Sequence, residues 1–160
     1  MNIKIGNGYD VHALATGESL WLGGIEIPHS KGTIAHSDGD VLIHAMCDAM
    51  LGALALGDIG KHFPDTDNTF KNIDSKILLK QCNALINNHG YCIVNIDTTI
   101  CAQQPKLRQY IDTMRTVLAN ILEIDVSQIS VKATTTEKLG FVGREEGISA
   151  YAVVLLQKKE

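Results

Sequence analysis

The sequence predicts an α+β fold, a sheet with helices packed on one face, forming a single-domain two-layer sandwich over residues 1–160. Three observations lead there. Stretches of alternating apolar and polar residues open the chain, cross its middle and close it. Three helical segments fall between them. No repeat, low-complexity tract or linker divides the 160 residues, a length that suits one core.

Taken in order, residues 3–12 read as a strand ending in the polar segment Asp10-Val11-His12. Residues 19–27 read as a hairpin turning at Gly23-Gly24. Residues 29–38 read as a polar loop, and 39–56 as a helix with Ser37 as N-cap and Asp40 three residues on in the capping-box position. Gly57-Asp58-Ile59-Gly60 ends that helix, and a loop follows through Phe63-Pro64-Asp65-Thr66-Asp67. A second helix runs from about Asp74 to Asn88 and stops before Gly90. Across 91–103, Cys92, Val94, Ile96, Ile100 and Ala102 share one face and Asn95, Asp97 and Thr99 the other. Pro105 starts a third helix to about Leu122. Residues 129–136 and 147–157 are the last strands. The sheet face carrying Asn95, Asp97, Thr99, Lys132 and Thr134 is too polar for a monomer core; it faces either solvent or a shared interior in an oligomer.

Composition narrows the partners. A formal net charge of −4 argues against a nucleic-acid binder with a broad basic face. The longest apolar stretch, Val41 to Leu56, is interrupted by His44, Asp48 and Gly52, so no membrane span is expected. The start shows no basic segment with a long apolar core, so no signal peptide is expected. Cys47, Cys82, Cys92 and Cys101 form no C-x-x-C pair and read as reduced, packed thiols of a cytoplasmic protein, with Cys92 and Cys101 on opposite strand faces.

Candidate chemistry gathers at few places. Asp10 and His12, two apart at a strand end, leave the same face and suit a shared metal ion, although Asp-x-His alone is usually a surface feature. The 39–56 helix is apolar nearly all round, with Asp40, His44 and Asp48 in one narrow stripe. That stripe is either a thin solvent-facing edge or a row facing a site, where a carboxylate would orient a metal-binding His44. Asp10, His12 and His44 together make three protein ligands, the pattern of a catalytic zinc with an open fourth position. His29 and His89 sit in polar turns, and His62 packs near Phe63. His36 precedes Ser37-Asp38-Gly39-Asp40 at a helix start, where free amides favour an anion. Thr134-Thr135-Thr136-Glu137, after Lys132, offers hydroxyls and a hard oxygen ligand for Mg²⁺ or Mn²⁺; taken alone it reads as a strand edge followed by a charged turn.

Taken together these blocks resemble one family. Ile5-Gly6-Asn7-Gly8-Tyr9-Asp10-Val11-His12, Ala35-His36-Ser37-Asp38-Gly39-Asp40, Gly57-Asp58-Ile59-Gly60, Phe63-Pro64-Asp65-Thr66-Asp67, Lys132 through Gly140 and Gly140-Phe141-Val142-Gly143-Arg144 are similar, in order and spacing, to the 2-C-methyl-D-erythritol 2,4-cyclodiphosphate synthases. The resemblance implies a homotrimer with active sites at subunit interfaces. It implies zinc on Asp10, His12 and His44, and a second divalent ion on Glu137. His36 and Thr135 match positions of transition-state stabilisation, and Ser37 a phosphate contact. Asp58, Ile59, Gly60, Phe63, Pro64, Asp65, Thr66 and Asp67 match the methylerythritol pocket. Ala102, Gln103, Gln104, Pro105, Lys106, Leu107 and Arg108, with Thr134, Thr135, Thr136 and Glu137, match the cytidine diphosphate pocket. Phe141 and Arg144 match further contacts, Arg144 near a central cavity that can hold an isoprenoid diphosphate. Lys4, Asn7, His29 and Glu145 depart from common forms without touching a matched ligand.

The implied reaction is intramolecular. The 2-phosphate of 4-diphosphocytidyl-2-C-methyl-D-erythritol 2-phosphate attacks the β-phosphorus, CMP leaves, and the 2,4-cyclodiphosphate forms for isoprenoid precursor synthesis. Phosphate is a nucleophile at neutral pH, so no Ser–His or Cys–His pair is required, and two cations would offset the repulsion of the anions. The rivals are a phosphohydrolase on the same metal centre, which would give an open-chain product, and a non-catalytic isoprenoid-diphosphate sensor, which would bind without turnover.

Overall fold

In chain order the strands are β1 (Ile3–Thr16), β2 (Leu20–Leu22), β3 (Ile25–Ile27), β4 (Lys31–Thr33), β5 (Tyr91–Cys101), β6 (Ile129–Thr134) and β7 (Gly147–Lys158). The helices are α1 (Val41–Ala53), α2 (Ile59–His62), α3 (Ser75–Asn88), α4 (Ile111–Leu122) and α5 (Gly140–Gly143). The computed structural model describes residues 2–64, 66 and 68–160. Its main sheet has the order β4-β1-β7-β5-β6, antiparallel except for the parallel pair β5–β6. Helices α1, α3 and α4 pack together over one face, which is the predicted two-layer α+β arrangement.

One close approach positions everything else. Gly6 and Gly8 lie two apart on β1, and a Cβ on either would run into the backbone carbonyls of Ala49 and Ala45 in α1. The helix backbone therefore rests on the strand, glycine against alanine, with no side chain between. Asp10 and His12 continue the same face of β1. Register agrees: Gly8, Asp10 and His12 pair with Ala152, Ala150 and Ile148, all fully buried under the helices.

Local chemistry departs from the predicted details in several places, among them the short helices α2, inside the predicted 57–67 loop, and α5. The cap of α1 is Asp40, whose carboxylate accepts from Ile43 N–H, and the Ser37 side chain instead accepts from Gly39 N–H within the preceding turn. Part of the predicted polar loop is β4, which pairs with the end of β1. Pro105 follows a cis peptide bond in a loop, and α4 begins only at Ile111 after a short 3-10 turn. A bulge between Ile93 and Asn95 in β5 reverses the alternation upstream, so buried Ile93 joins Ile96 and Ile100 beneath the helices. It also brings Cys92 and Cys101, paired with Gln157 and Ser149, onto the same face rather than opposite ones. All four cysteines are free.

The Gly23-Gly24 hairpin forms as predicted, both glycines at positive φ. The open sheet face is more apolar than predicted. Beside Asn95, Asp97 and Lys132 it carries Ile5, Tyr9, Val11, Tyr151 and Val153, all more than a third exposed. Tyr9 and Tyr151 meet there with ring centroids 4.9 Å apart. Among the described residues, no helix is long and apolar enough to cross a membrane.

Candidate metal centre and substrate pockets

The glycine-on-alanine contact brings the first turn of α1 over the end of β1, and three donor atoms converge. His12 Nε2, His44 Nδ1 and Asp10 Oδ2 lie 3.0 Å from one another. His44 is buried; Asp10 and His12 are partly exposed at a pocket mouth. Atoms bound about 2.1 Å from a tetrahedral ion lie roughly 3.4 Å apart, so a slight opening of this cluster accommodates one. The electrostatics also suit a cation. Burial alone would raise the Asp10 pKa, but hydrogen bonds and positive charge from His12 and His44 hold it well below the usual carboxylate range. Burial alone would lower the His44 pKa, and the adjacent Asp10 carboxylate reverses this and raises it. Among the described residues these three form the one cluster with metal-ligand geometry.

The polar stripe of α1 divides differently from the predicted arrangement. Asp40 is wholly buried and turned away from His44. Its carboxylate accepts from Gly23, Gly24 and Ile43 N–H at 3.0, 2.7 and 3.0 Å, tying the hairpin to the helix start. Burial raises its pKa against the pull of those three donors. The start of α1 is thus capped by its own carboxylate, which takes the Ile43 amide. Asp48 accepts from Ile59 N–H at 2.7 Å. The group against His44 Nε2 is Ser75 Oγ at 2.9 Å, with Ser37 Oγ at 3.2 Å. Ser75 has no signature in the sequence, because at the start of α3 behind the Asp74 cap it looks like ordinary helix initiation.

The three donors open into a pocket of about 410 Å³ lined also by His36, Ser37, Ile59, Gly60, Phe63 and Pro64. Its apolar wall includes Phe70, Ile73 and Leu78, which the sequence reading did not single out. Phe63 and Phe70 meet edge to face at 5.5 Å. His36 Nε2 is buried with no hydrogen-bond partner. Asp58 caps α2 at the rim, accepting from Lys61 N–H. Thr66 is exposed nearby, and Asp65 and Asp67 lie outside the described residues. His62 does pack against Phe63, and its Nε2 is 3.1 Å from the Leu56 carbonyl.

A second pocket, of about 310 Å³, is lined by Ala102, Pro105, Lys106, Leu107, Arg108, Ala133, Thr134 and Thr135. Gln103 Oε1 accepts from Lys138 N–H, holding the Thr135–Leu139 turn against the end of β5; Gln104 precedes the cis bond. Thr136 Oγ donates to the Leu139 carbonyl. Glu137 and Lys138 stand in left-handed backbone, φ 53° and 66°, which costs non-glycine residues about 1 kcal/mol or more. Thr135 Oγ donates to Glu137 Oε1 at 3.2 Å. Phe141 is partly exposed on α5, and Arg144 pairs with Glu146 through two nitrogens at 2.9 and 3.0 Å.

The two pockets are separate within one chain. Asp10 is level with Ala150, Ile100 and Ala133 across β1, β7, β5 and β6. Three strand spacings of about 4.8 Å put Ala133 roughly 14 Å from Asp10.

A fold of this kind is an α+β domain with a potential metal-binding triad, whose three protein donors and open side have the catalytic rather than the structural pattern. The chain belongs to the YgbB family, whose sequence model matches residues 3–157. It is 61% identical over 160 residues to the 2-C-methyl-D-erythritol 2,4-cyclodiphosphate synthase of Phocaeicola vulgatus, covering 100% of both chains. Among solved structures, it matches the bifunctional IspDF from Campylobacter jejuni with TM-score 0.95 and 47% identity, over 99% of this chain and 43% of that longer one. It also matches the CDP complex of IspF from Plasmodium falciparum with TM-score 0.88 and 38% identity, over 99% of this chain and 98% of that one.

Proposed function

We propose that this chain, as a single catalytic domain, converts 4-diphosphocytidyl-2-C-methyl-D-erythritol 2-phosphate to 2-C-methyl-D-erythritol 2,4-cyclodiphosphate and CMP. It is a phosphorus–oxygen lyase of isoprenoid precursor synthesis. The observation that carries this reading is the convergence of Asp10, His12 and His44 at the mouth of a pocket with one apolar wall. End-to-end identity with synthases of that name supports it.

Zinc is the ion proposed for Asp10, His12 and His44, since imidazole nitrogen with one carboxylate suits it. Glu137, offering only oxygen, suits Mg²⁺ or Mn²⁺. When bound, the two ions neutralise charge on the diphosphate and polarise its phosphorus–oxygen bonds. The chain's own groups do the rest. Ile59, Gly60, Phe63 and Pro64, with Asp58 and, by the family resemblance, Asp65, Thr66 and Asp67, hold the methylerythritol end and exclude water. Ala102 to Arg108, with Thr134 to Glu137, take the cytidine diphosphate, a reading favoured by the CDP complex of the Plasmodium relative. An oxygen of the 2-phosphate forms the new bond to the β-phosphorus as the bond to CMP breaks. Ser37 contacts phosphate, and His36 and Thr135 meet the shifting charge. The unpartnered His36 Nε2 is an atom available for that role.

Two ions serving one diphosphate would need their protein ligands close together. The separation of roughly 14 Å within one chain favours a site shared between subunits. A homotrimer, closed by the open sheet face, would pair the metal pocket of one chain with the second pocket and the adjacent Glu137 turn of the next. Arg144 and Phe141 would then lie near a central cavity suited to an isoprenoid diphosphate. Free cysteines fit a cytoplasmic setting, and neither nucleic acid nor membrane is a proposed partner. The test is stoichiometric: purified protein with the substrate and Mn²⁺ should release one CMP per substrate consumed without consuming water. Release of inorganic phosphate would contradict it.

A further inference from the structure

Ser75 is fully buried, and its one hydroxyl proton has two claimants. Its Oγ is 2.5 Å from Asp38 Oδ1 and 2.9 Å from His44 Nε2, while its backbone N–H donates to Asp38 Oδ2 at 2.9 Å. An ionised carboxylate only accepts, so the short contact to Asp38 takes the hydroxyl proton. Ser75 Oγ then meets His44 only as an acceptor. A neutral His44 satisfies that acceptor by carrying its proton on Nε2, which leaves a lone pair on Nδ1. That nitrogen stands 3.0 Å from Asp10 Oδ2 and from His12 Nε2. Lone pair thus faces carboxylate, an arrangement that a cation between them relieves.

We propose that Asp38 and Ser75 are positioning residues that set the His44 tautomer, so that Nδ1 is presented to a divalent cation rather than closed off by a proton. The inference rests on the reading of Asp10, His12 and His44 as a zinc centre. Without the Ser75 acceptor, a neutral His44 can move its proton to Nδ1 and donate it to Asp10 Oδ2. The cluster is then satisfied internally and the ligand atom is blocked. Asp38→Asn acts by a different route. It removes the carboxylate charge that holds the serine proton, and either placement of its amide sets the NH₂ against a backbone donor, Asp40 N–H or Ser75 N–H. The serine proton is then free to turn to His44 Nε2 and favour the other tautomer. Ser37 Oγ, at 3.2 Å from the same nitrogen, already accepts from Gly39 N–H and is a weaker substitute.

The experiment measures ring-nitrogen resonances of His44 in metal-free protein, above its titration, together with zinc affinity by chelator competition. Wild-type protein should show the Nε2–H form, with His44 Nδ1 shifting on zinc addition. Ser75→Ala and Asp38→Asn should gain the Nδ1–H form and bind zinc roughly ten- to a hundredfold more weakly, the range for partners that orient metal ligands. Alanine is a good helix former at this N-terminal position, and circular dichroism checks the fold of both variants. Wild-type affinity and tautomer in both variants would overturn the relay while leaving the zinc reading intact. Zinc that leaves the wild-type His44 resonances unmoved would overturn the zinc reading, and the relay with it.

Discussion

Asp48 Oδ1 accepts a 2.7 Å hydrogen bond from the backbone N–H of Ile59, fastening the lip of the metal pocket to the helix that carries His44. The bond fixes the start of α2, where Ile59 and Gly60 form part of the wall. Asp48→Ala should loosen that wall without touching a metal donor. A hydrogen bond to a charged acceptor contributes about 1.5–3 kcal/mol. KM should therefore rise on the order of tenfold or more, with zinc content unchanged. Steady-state kinetics with metal analysis tests this; a normal KM would show that the pocket wall stands without the anchor.

Asp40 serves the fold rather than the reaction. Its two oxygens satisfy three backbone donors, from Gly23, Gly24 and Ile43. Asp40→Asn leaves one oxygen for three N–H groups, and the new NH₂ confronts a donor. The loss should be about 1–3 kcal/mol, seen as a melting temperature lower by about 2–4 °C for each kcal/mol. An unchanged thermal midpoint would contradict this role.

Much of this was legible in the sequence where periodicity or short-range spacing carried it. Asp10 and His12 had to share a face, and the all-round apolar α1 had to be buried. The Gly23-Gly24 turn was equally plain. What escaped depended on distance along the chain. No local pattern marks Ser75, whose partner His44 is 31 residues away. The Ile93–Asn95 bulge reverses alternation without a glycine to announce it, and this misassigned Cys92 and Val94. Ser37 and Asp40 are both good caps, and only the tertiary pull of Gly23 and Gly24 decides between them. The apolar character of the open face is not announced by β5 and β6, whose residues there are polar, because the exposed Tyr9, Tyr151 and Val153 lie on β1 and β7.

Glu137 stands on the turn after β6, apart from the Asp10 cluster within one chain, so the two ions proposed for them should be separable. Glu137→Gln should cut turnover at least tenfold while retaining the zinc of Asp10, His12 and His44, with partial recovery at high Mn²⁺. Zinc loss equal to that of His44→Ala would move Glu137 into the other site.

Val153 is 44% exposed on the open sheet face, beside Asn7 and Asp97 on its neighbouring strands. Val153→Lys places a charge where a second and third subunit are proposed to pack. Light scattering should report about one chain mass in place of three, with the helical circular dichroism and the zinc retained but activity lost. An active monomer would rule out a shared site.

The central claim is ring closure, and the product carries its signature. Phosphorus NMR of the reaction mixture reads it directly. Cyclisation should replace the 2-phosphate monoester resonance by two mutually coupled diphosphate signals, with CMP as the other phosphorus species. A surviving 2-phosphate resonance, distinct from that of the released CMP, would mean that water, not the 2-phosphate, attacked the β-phosphorus, and would contradict the account.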